Sequence, residues 1–153
     1  MAAVREAHDA ARRVEDVARD VTIYLAAPFE LISVMGVLAA DLTRAGFTIR
    51  ASWLLADPDD LDLYAADALR DLTDIDAADI VVVANPPEYY RSGSGGRHVE
   101  MGYALALGKP VVLWGHPSNV FHLLPDVRVV TDRQALPDAL LAIGEELDMR
   151  IVM

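Results

Sequence analysis

Asp79-Ile80-Val81-Val82-Val83-Ala84-Asn85 is an apolar, largely β-branched run closed at each end by a polar residue, and it reads as a strand buried on both faces. The polar loop Asn85 to Gly96 follows, then a helix-period segment over Arg97–Leu107, so the stretch has the strand–loop–helix form of a βαβ unit. Outward from it the alternation repeats. Strands are predicted at Val21–Ala27, Phe47–Trp53, Pro110–Gly115 and Val127–Thr131, and helices near Leu31–Ala45, Leu61–Ala77 and Arg133–Leu147. A further amphipathic helix, near Val4–Ala18, precedes the first strand. The expected fold is α/β, a single-domain doubly wound sheet of five parallel strands in the flavodoxin-like order 2-1-3-4-5. In such a sheet the ligand crevice lies at the carboxyl ends of the strands where strand order reverses, here between Ala26-Ala27-Pro28-Phe29 and the loop Asn85 to Gly96.

Composition narrows the chemistry. The chain has 153 residues, 54% of them hydrophobic, with 13 basic and 24 acidic side chains giving a net charge of −11. A surplus of acid repels a phosphate backbone, so duplex nucleic acid is not an expected partner. The absence of cysteine excludes disulfides, thiolate metal sites and thiol nucleophiles. No apolar run approaches the roughly 20 residues of a membrane span, and the N-terminal segment mixes charges of both signs, which reads as a cytoplasmic protein without membrane contact. The phosphate-binding loop of nucleotide hydrolases is missing, and Gly93-Ser94-Gly95-Gly96-Arg97-His98 lacks the last glycine of the dinucleotide fingerprint. His8, His98, His116 and His122 have no metal-ligand spacing. Neither cofactor nor metal is expected.

Two carboxylates stand out. Glu100 lies near the start of a helix whose other residues are apolar almost all round, which predicts a buried helix. At a helix N-terminus the dipole favours the ionised form by about 0.3–1 kcal/mol, so the residue reads as a nucleophile at the crevice mouth or, alternatively, as a solvent-facing first-turn glutamate. Asp71 lies four residues before Ile75, towards the apolar side of its helix; with Asp67 and Asp74 it also reads as part of a solvated acidic stripe. The turn Gly93-Ser94-Gly95 running into a helix offers backbone N–H groups to an anion or a sugar oxygen, or serves only as a flexible loop.

Thr22-Ile23-Tyr24, then Asp71-Leu72-x-x-Ile75 followed by Ala78-Asp79-Ile80-Val81-Val82, then Gly95-Gly96-x-x-x-Glu100-x-Gly102-Tyr103-Ala104, resemble the nucleoside 2-deoxyribosyltransferase family. Its superfamily also includes the 2′-deoxynucleoside 5′-monophosphate N-glycosidases. The resemblance runs from Thr22 to Val130 and implies a deoxyribosyltransferase-like domain over residues 21–153 behind an N-terminal helical extension, 1–20. It implies that Glu100 attacks C1′ of a deoxyribose, that Tyr24 orients this carboxylate, and that Asp71 serves the departing base. With Phe29, Asn85, Gly93 and Gly95, which the crevice and the glycine turn place at the same strand ends, Ser94 and Asn119 are the expected substrate-binding residues. Six residues before the glutamate the transferases tend to carry aspartate and the monophosphate N-glycosidases serine; here it is Ser94. Pro117-Ser118-Asn119-Val120 resembles the segment with which a transferase subunit reaches its neighbour's site, implying a homo-oligomer with shared active sites. The expected partners are a nucleoside or nucleotide and a free nucleobase. The alternatives are a hydrolase of the same superfamily and a nucleotide-binding sensor without chemistry.

Overall fold

The computed structural model describes residues 2–89 and 95–153. Strands β1 (Thr22–Ala26), β2 (Thr48–Ile49), β3 (Ile80–Asn85), β4 (Val111–Gly115) and β5 (Val127–Val130) form one parallel sheet in the order β2-β1-β3-β4-β5. The helices are α1 (Ala2–Asp20), α2 (Ile32–Arg44), α3 (Ala65–Ala77), α4 (Gly96–Ala106) and α5 (Leu136–Val152). The fold class and strand order are those expected from the sequence.

Right-handed crossovers decide the layers. The connection β1-α2-β2 runs in one direction along the sheet and β2-α3-β3 runs back, so α2 and α3 lie on opposite faces, with α4 beside α3. On β1 the alternation of side chains then sends Tyr24 to the α3–α4 face and Ile23 and Leu25 to the other. Ile80 to Ala84 are buried completely, as a strand covered on both faces requires.

Three expectations shift. The second strand is predicted over Phe47–Trp53, yet only Thr48 and Ile49 pair with β1, and Ser52–Leu55 coil into a 3-10 turn. Beyond Arg50, whose N–H donates to Ile23 O, the next ladder acceptor on β1 is Leu25 O, and the indole Nε1 of Trp53 fills that place at 2.7 Å. The predicted helix over 61–77 begins only at Ala65, after the acidic, proline-containing stretch Asp57–Asp62. Helix α4 is not buried all round, because Val99 is 69% and Leu107 46% exposed; only its Arg97, Met101 and Ala104 side is enclosed.

At the carboxyl edge Gly115 stands opposite Asn85 in the β3–β4 register with φ +129, and a Cβ there would lie 2.4 Å from Asn85 O. Glycine alone allows the two strand ends to approach this closely.

Candidate active site

Tyr24 projects from the middle of β1 towards α4, and its hydroxyl donates a 2.7 Å hydrogen bond to Oε1 of Glu100. Glu100 is the fifth residue of α4, one beyond the first turn, where the helix dipole has largely faded. Desolvation therefore governs it: burial pushes its carboxyl up to about 7, against the lowering effect of the Tyr24 hydrogen bond and with further help from the negative charge of Asp71. The sequence-based expectation of a carboxylate kept ionised by the helix N-terminus is corrected accordingly. Tyr24 itself is raised far above the ordinary phenol value, first by burial and then by the charges of Glu100 and Asp71. Its proton stays in place throughout the physiological range.

Asp71, on α3, is half-buried and raised to about 6, first by desolvation and then by Asp74 and Asp67, with Arg70 opposing. The charge of Asp71 acts on both Tyr24 and Glu100, so α3 carries it to the side of the sheet where β1 and α4 hold that pair.

Asp74 corrects the reading of a solvated stripe. It is only 3% exposed, and its carboxylate accepts from Ser52 N at 2.7 Å and from Arg50 Nε at 3.3 Å. Burial alone would raise it; the bonds from Ser52 and Arg50 outweigh that and hold it below the usual carboxylate range. An ionised aspartate on α3 thus fixes the turn that carries Trp53 on one side, while the Trp53 indole fixes the same turn to β1 on the other. Phe29 follows β1 and faces Trp53 with ring centroids 6.4 Å apart, tilted by 46°. Sequence reasoning missed Trp53 and Asp74 because their partners lie 22 to 28 residues away.

The other expected residues belong to a separate network. Asn85 is fully buried; its amide donates to His116 O at 2.7 Å and to Ser118 Oγ at 3.0 Å. Arg97, on α4, is 2% exposed and donates to Tyr89 O at 2.8 Å and to Asn85 Oδ1 at 3.4 Å. Asn119 caps the 3-10 turn Val120–Leu123 by accepting from Phe121 N, and its amide lies 3.1 Å from His122 Nε2. The His122 ring is 5.5 Å from that of His98 on α4, and burial lowers both imidazoles. Gly95 is the exposed residue before α4. Gly93 and Ser94 lie outside the described residues.

The fold resembles two solved structures. One is a 2-deoxyribosyltransferase from Bacillus psychrosaccharolyticus, a biocatalyst for nucleoside synthesis, at 25% identity over 78% of this chain and 95% of that one, with a TM-score of 0.56. The other is a CMP N-glycosidase, BcmB, from Clostridium botulinum, at 17% identity over 78% of this chain and 97% of that one, with a TM-score of 0.52; at that identity the likeness concerns the fold alone. No protein-family model and no curated protein matches the chain. The family resembled by the strand and helix motifs is thus also that of the first of these two solved structures, a 2-deoxyribosyltransferase.

Proposed function

We propose that the protein is a nucleoside 2-deoxyribosyltransferase. In the first step a carboxylate oxygen of Glu100 bonds to C1′ of a 2′-deoxynucleoside as the C1′–N bond breaks, and the departing base nitrogen takes a proton from Asp71. In the second a nitrogen of another base attacks C1′, the glycosyl ester breaks to restore the Glu100 carboxylate, and the incoming nitrogen returns its proton to Asp71. Two displacements retain the configuration at C1′. The observation that carries the reading is the 2.7 Å bond from Tyr24 to Glu100 beside a second carboxyl. It points one Glu100 oxygen and opposes the burial that raises this carboxyl to about 7, while Asp71 is raised to about 6, so both carboxyls exchange protons close to neutral pH.

Our reading takes a free nucleoside rather than a monophosphate as the substrate. Among the described residues Arg50 is bonded to the buried Asp74, Arg97 donates to Tyr89 O and Asn85 Oδ1, and Arg70 pairs with Asp67. The N-glycosidase reading rests on Ser94, where the monophosphate hydrolases of the resembled superfamily tend to carry serine.

The test is incubation of the purified protein with deoxynucleosides and with their 5′-monophosphates, with and without a second base, followed by chromatography of the bases. Deoxynucleosides should react with the higher kcat/KM, and a second base should speed turnover by intercepting the glycosyl ester. A tenfold or greater advantage for monophosphates, independent of added base, makes the protein a hydrolase instead. Replacing Glu100 with Ala should reduce base release by about a thousandfold or more. Intact mass with a slow 2-fluoro-2-deoxy substrate should reveal one sugar adduct on the parent and none on the variant.

A further inference from the structure

Helix α4 has no local device to hold its start. Gly95 is the N-cap and makes no side-chain bond to the first turn, Gly96 follows it, and Gly102 lies inside the helix two residues beyond Glu100. Each glycine in a helix costs about 1 kcal/mol relative to alanine, and a first turn without a cap leaves its N–H groups to solvent. A functional hydrogen bond such as that from Tyr24 to Glu100 nevertheless needs its carboxylate held to within about 0.5 Å.

Among the described residues, two hydrogen-bonding side chains of α4 tie it down on either side of the nucleophile. Arg97, Glu100 and Tyr103 recur at a spacing of three, so Glu100 has one anchor a turn before it and another a turn after. After it, the Tyr103 hydroxyl donates to Asp76 Oδ1 on α3 at 2.7 Å. Before it, Arg97 reaches the carboxyl end of β3, where it meets Asn85 Oδ1 and Tyr89 O.

Arginine is a costly residue for this place. It shares the enclosed side of α4 with Met101 and Ala104, four and seven residues on, where an apolar side chain would continue the row. Burial acts against its charge, and Glu30, in the 3-10 turn Phe29–Leu31 after β1, offsets part of that. What the guanidinium adds over an aliphatic chain is direction, because its planar fork binds two acceptors at once. One of those acceptors cannot turn away: the fully buried Asn85 amide donates to His116 O, a carbonyl that only accepts, and to Ser118 Oγ, so Oδ1 is left facing Arg97.

We propose that Arg97, with Asn85 as its fixed acceptor, is a positioning residue that clamps the first turn of α4 to the end of β3 and so holds the Glu100 carboxylate at the Tyr24 hydroxyl. The consequence for catalysis rests on the transferase reading of Glu100; the consequence for the Tyr24–Glu100 bond does not.

The test is a double-mutant cycle of Arg97→Met, which keeps the stem and removes the donors, with Tyr24→Phe. In ¹³C NMR titrations of the Glu100 carboxyl, which responds to burial, Tyr24 and Asp71, Arg97→Met should raise the midpoint by about half a pH unit or more, because a loosened Tyr24 bond lowers it less. In the Tyr24→Phe background it should leave the midpoint unmoved, there being no bond to loosen. In base release, Arg97→Met should lower kcat by about tenfold or more with KM changed less than about threefold, and should cost less than about threefold once Tyr24 is Phe. A midpoint unchanged by Arg97→Met overturns the proposal, as does one that moves equally, or a kcat that falls equally, with and without the Tyr24 hydroxyl. Should Arg97→Met fail to fold, Arg97→Lys, which keeps the charge and loses the fork, takes its place in the same cycle; loss of the fold in both overturns the positioning role. A parent that releases no base overturns the transferase reading instead, and the titration still judges the clamp.

Discussion

The Tyr24 hydroxyl and the Glu100 carboxylate are 2.7 Å apart although 76 residues separate them in sequence, and the bond has a single direction. Burial and the surrounding negative charge keep the phenol protonated, so tyrosine always donates and glutamate always accepts. The bond counteracts the burial that otherwise raises Glu100.

Activity should therefore follow a bell in pH. With Asp71 raised to about 6 and Glu100 to about 7, the pair shares one proton in that interval, and only a singly protonated pair contains both a nucleophile and an acid. The expected maximum of kcat/KM falls between pH 6 and 7. Tyr24→Phe removes the stabilising donor and raises Glu100 further, so the basic limb should move upward and kcat fall by about 10- to 150-fold, the equivalent of a hydrogen bond to a charged group. A profile with an unmoved basic limb contradicts the orienting role.

Stability should fall with rising pH over the range in which Glu100 ionises. Its value in the folded protein, about 7, lies above the ordinary 4.5, so the folded state binds the proton more tightly. The associated stabilisation is complete below the unfolded value and disappears as pH rises through about 7, an effect of at most about 3 kcal/mol. Asp71, raised to about 6, acts in the same sense, discounted for its half exposure. Urea midpoints at pH 5 and pH 8 check this: the difference should shrink in Glu100→Gln, and equal slopes in parent and variant refute the assignment.

Asp71→Asn preserves shape and removes the acid. The loss in kcat should be about 100-fold or more for ordinary bases and much smaller for bases that depart without protonation. A uniform loss across leaving groups indicates a structural role.

Asp74→Ala should destabilise the fold by about 2–4 kcal/mol, because it leaves the Ser52 N–H and the Arg50 guanidinium without their buried acceptor. Release of the 52–55 turn should also free Trp53, visible as a red shift in indole fluorescence. A variant as stable as the parent shows that other groups anchor the turn.

What could be read in the sequence depended on the range of the determining interaction. β3 was legible to its last residue because the apolar run Ile80–Ala84, closed by Asp79 and by Asn85-Pro86, leaves no other place for it. Glu100, Asp71 and Tyr24 were legible as a motif, and the structure brings the three together. The end of β2 was not: Phe47–Trp53 has strand composition throughout, and what takes the chain out of the sheet is Asp74 and Leu25 O, outside any local window. For the same reason Asp74 looked like its exposed neighbours Asp67 and Asp76. Asn85 sits where a ligand contact was expected, but its amide closes a network with residues 116–118 that spacing does not reveal.

The early end of β2 has a consequence for solubility. β2 is one margin of the sheet and offers only two paired residues, after which an indole replaces the backbone donor that a further rung would need. An extended segment of another molecule meets no length of ladder there on which to template itself. The opposite margin, β5, is four residues long and carries Arg128, engaged with Glu146 at 3.0 Å. Both borders of the sheet are thus poor seeds for cross-β stacking, a protection of some value to a chain that is 54% hydrophobic.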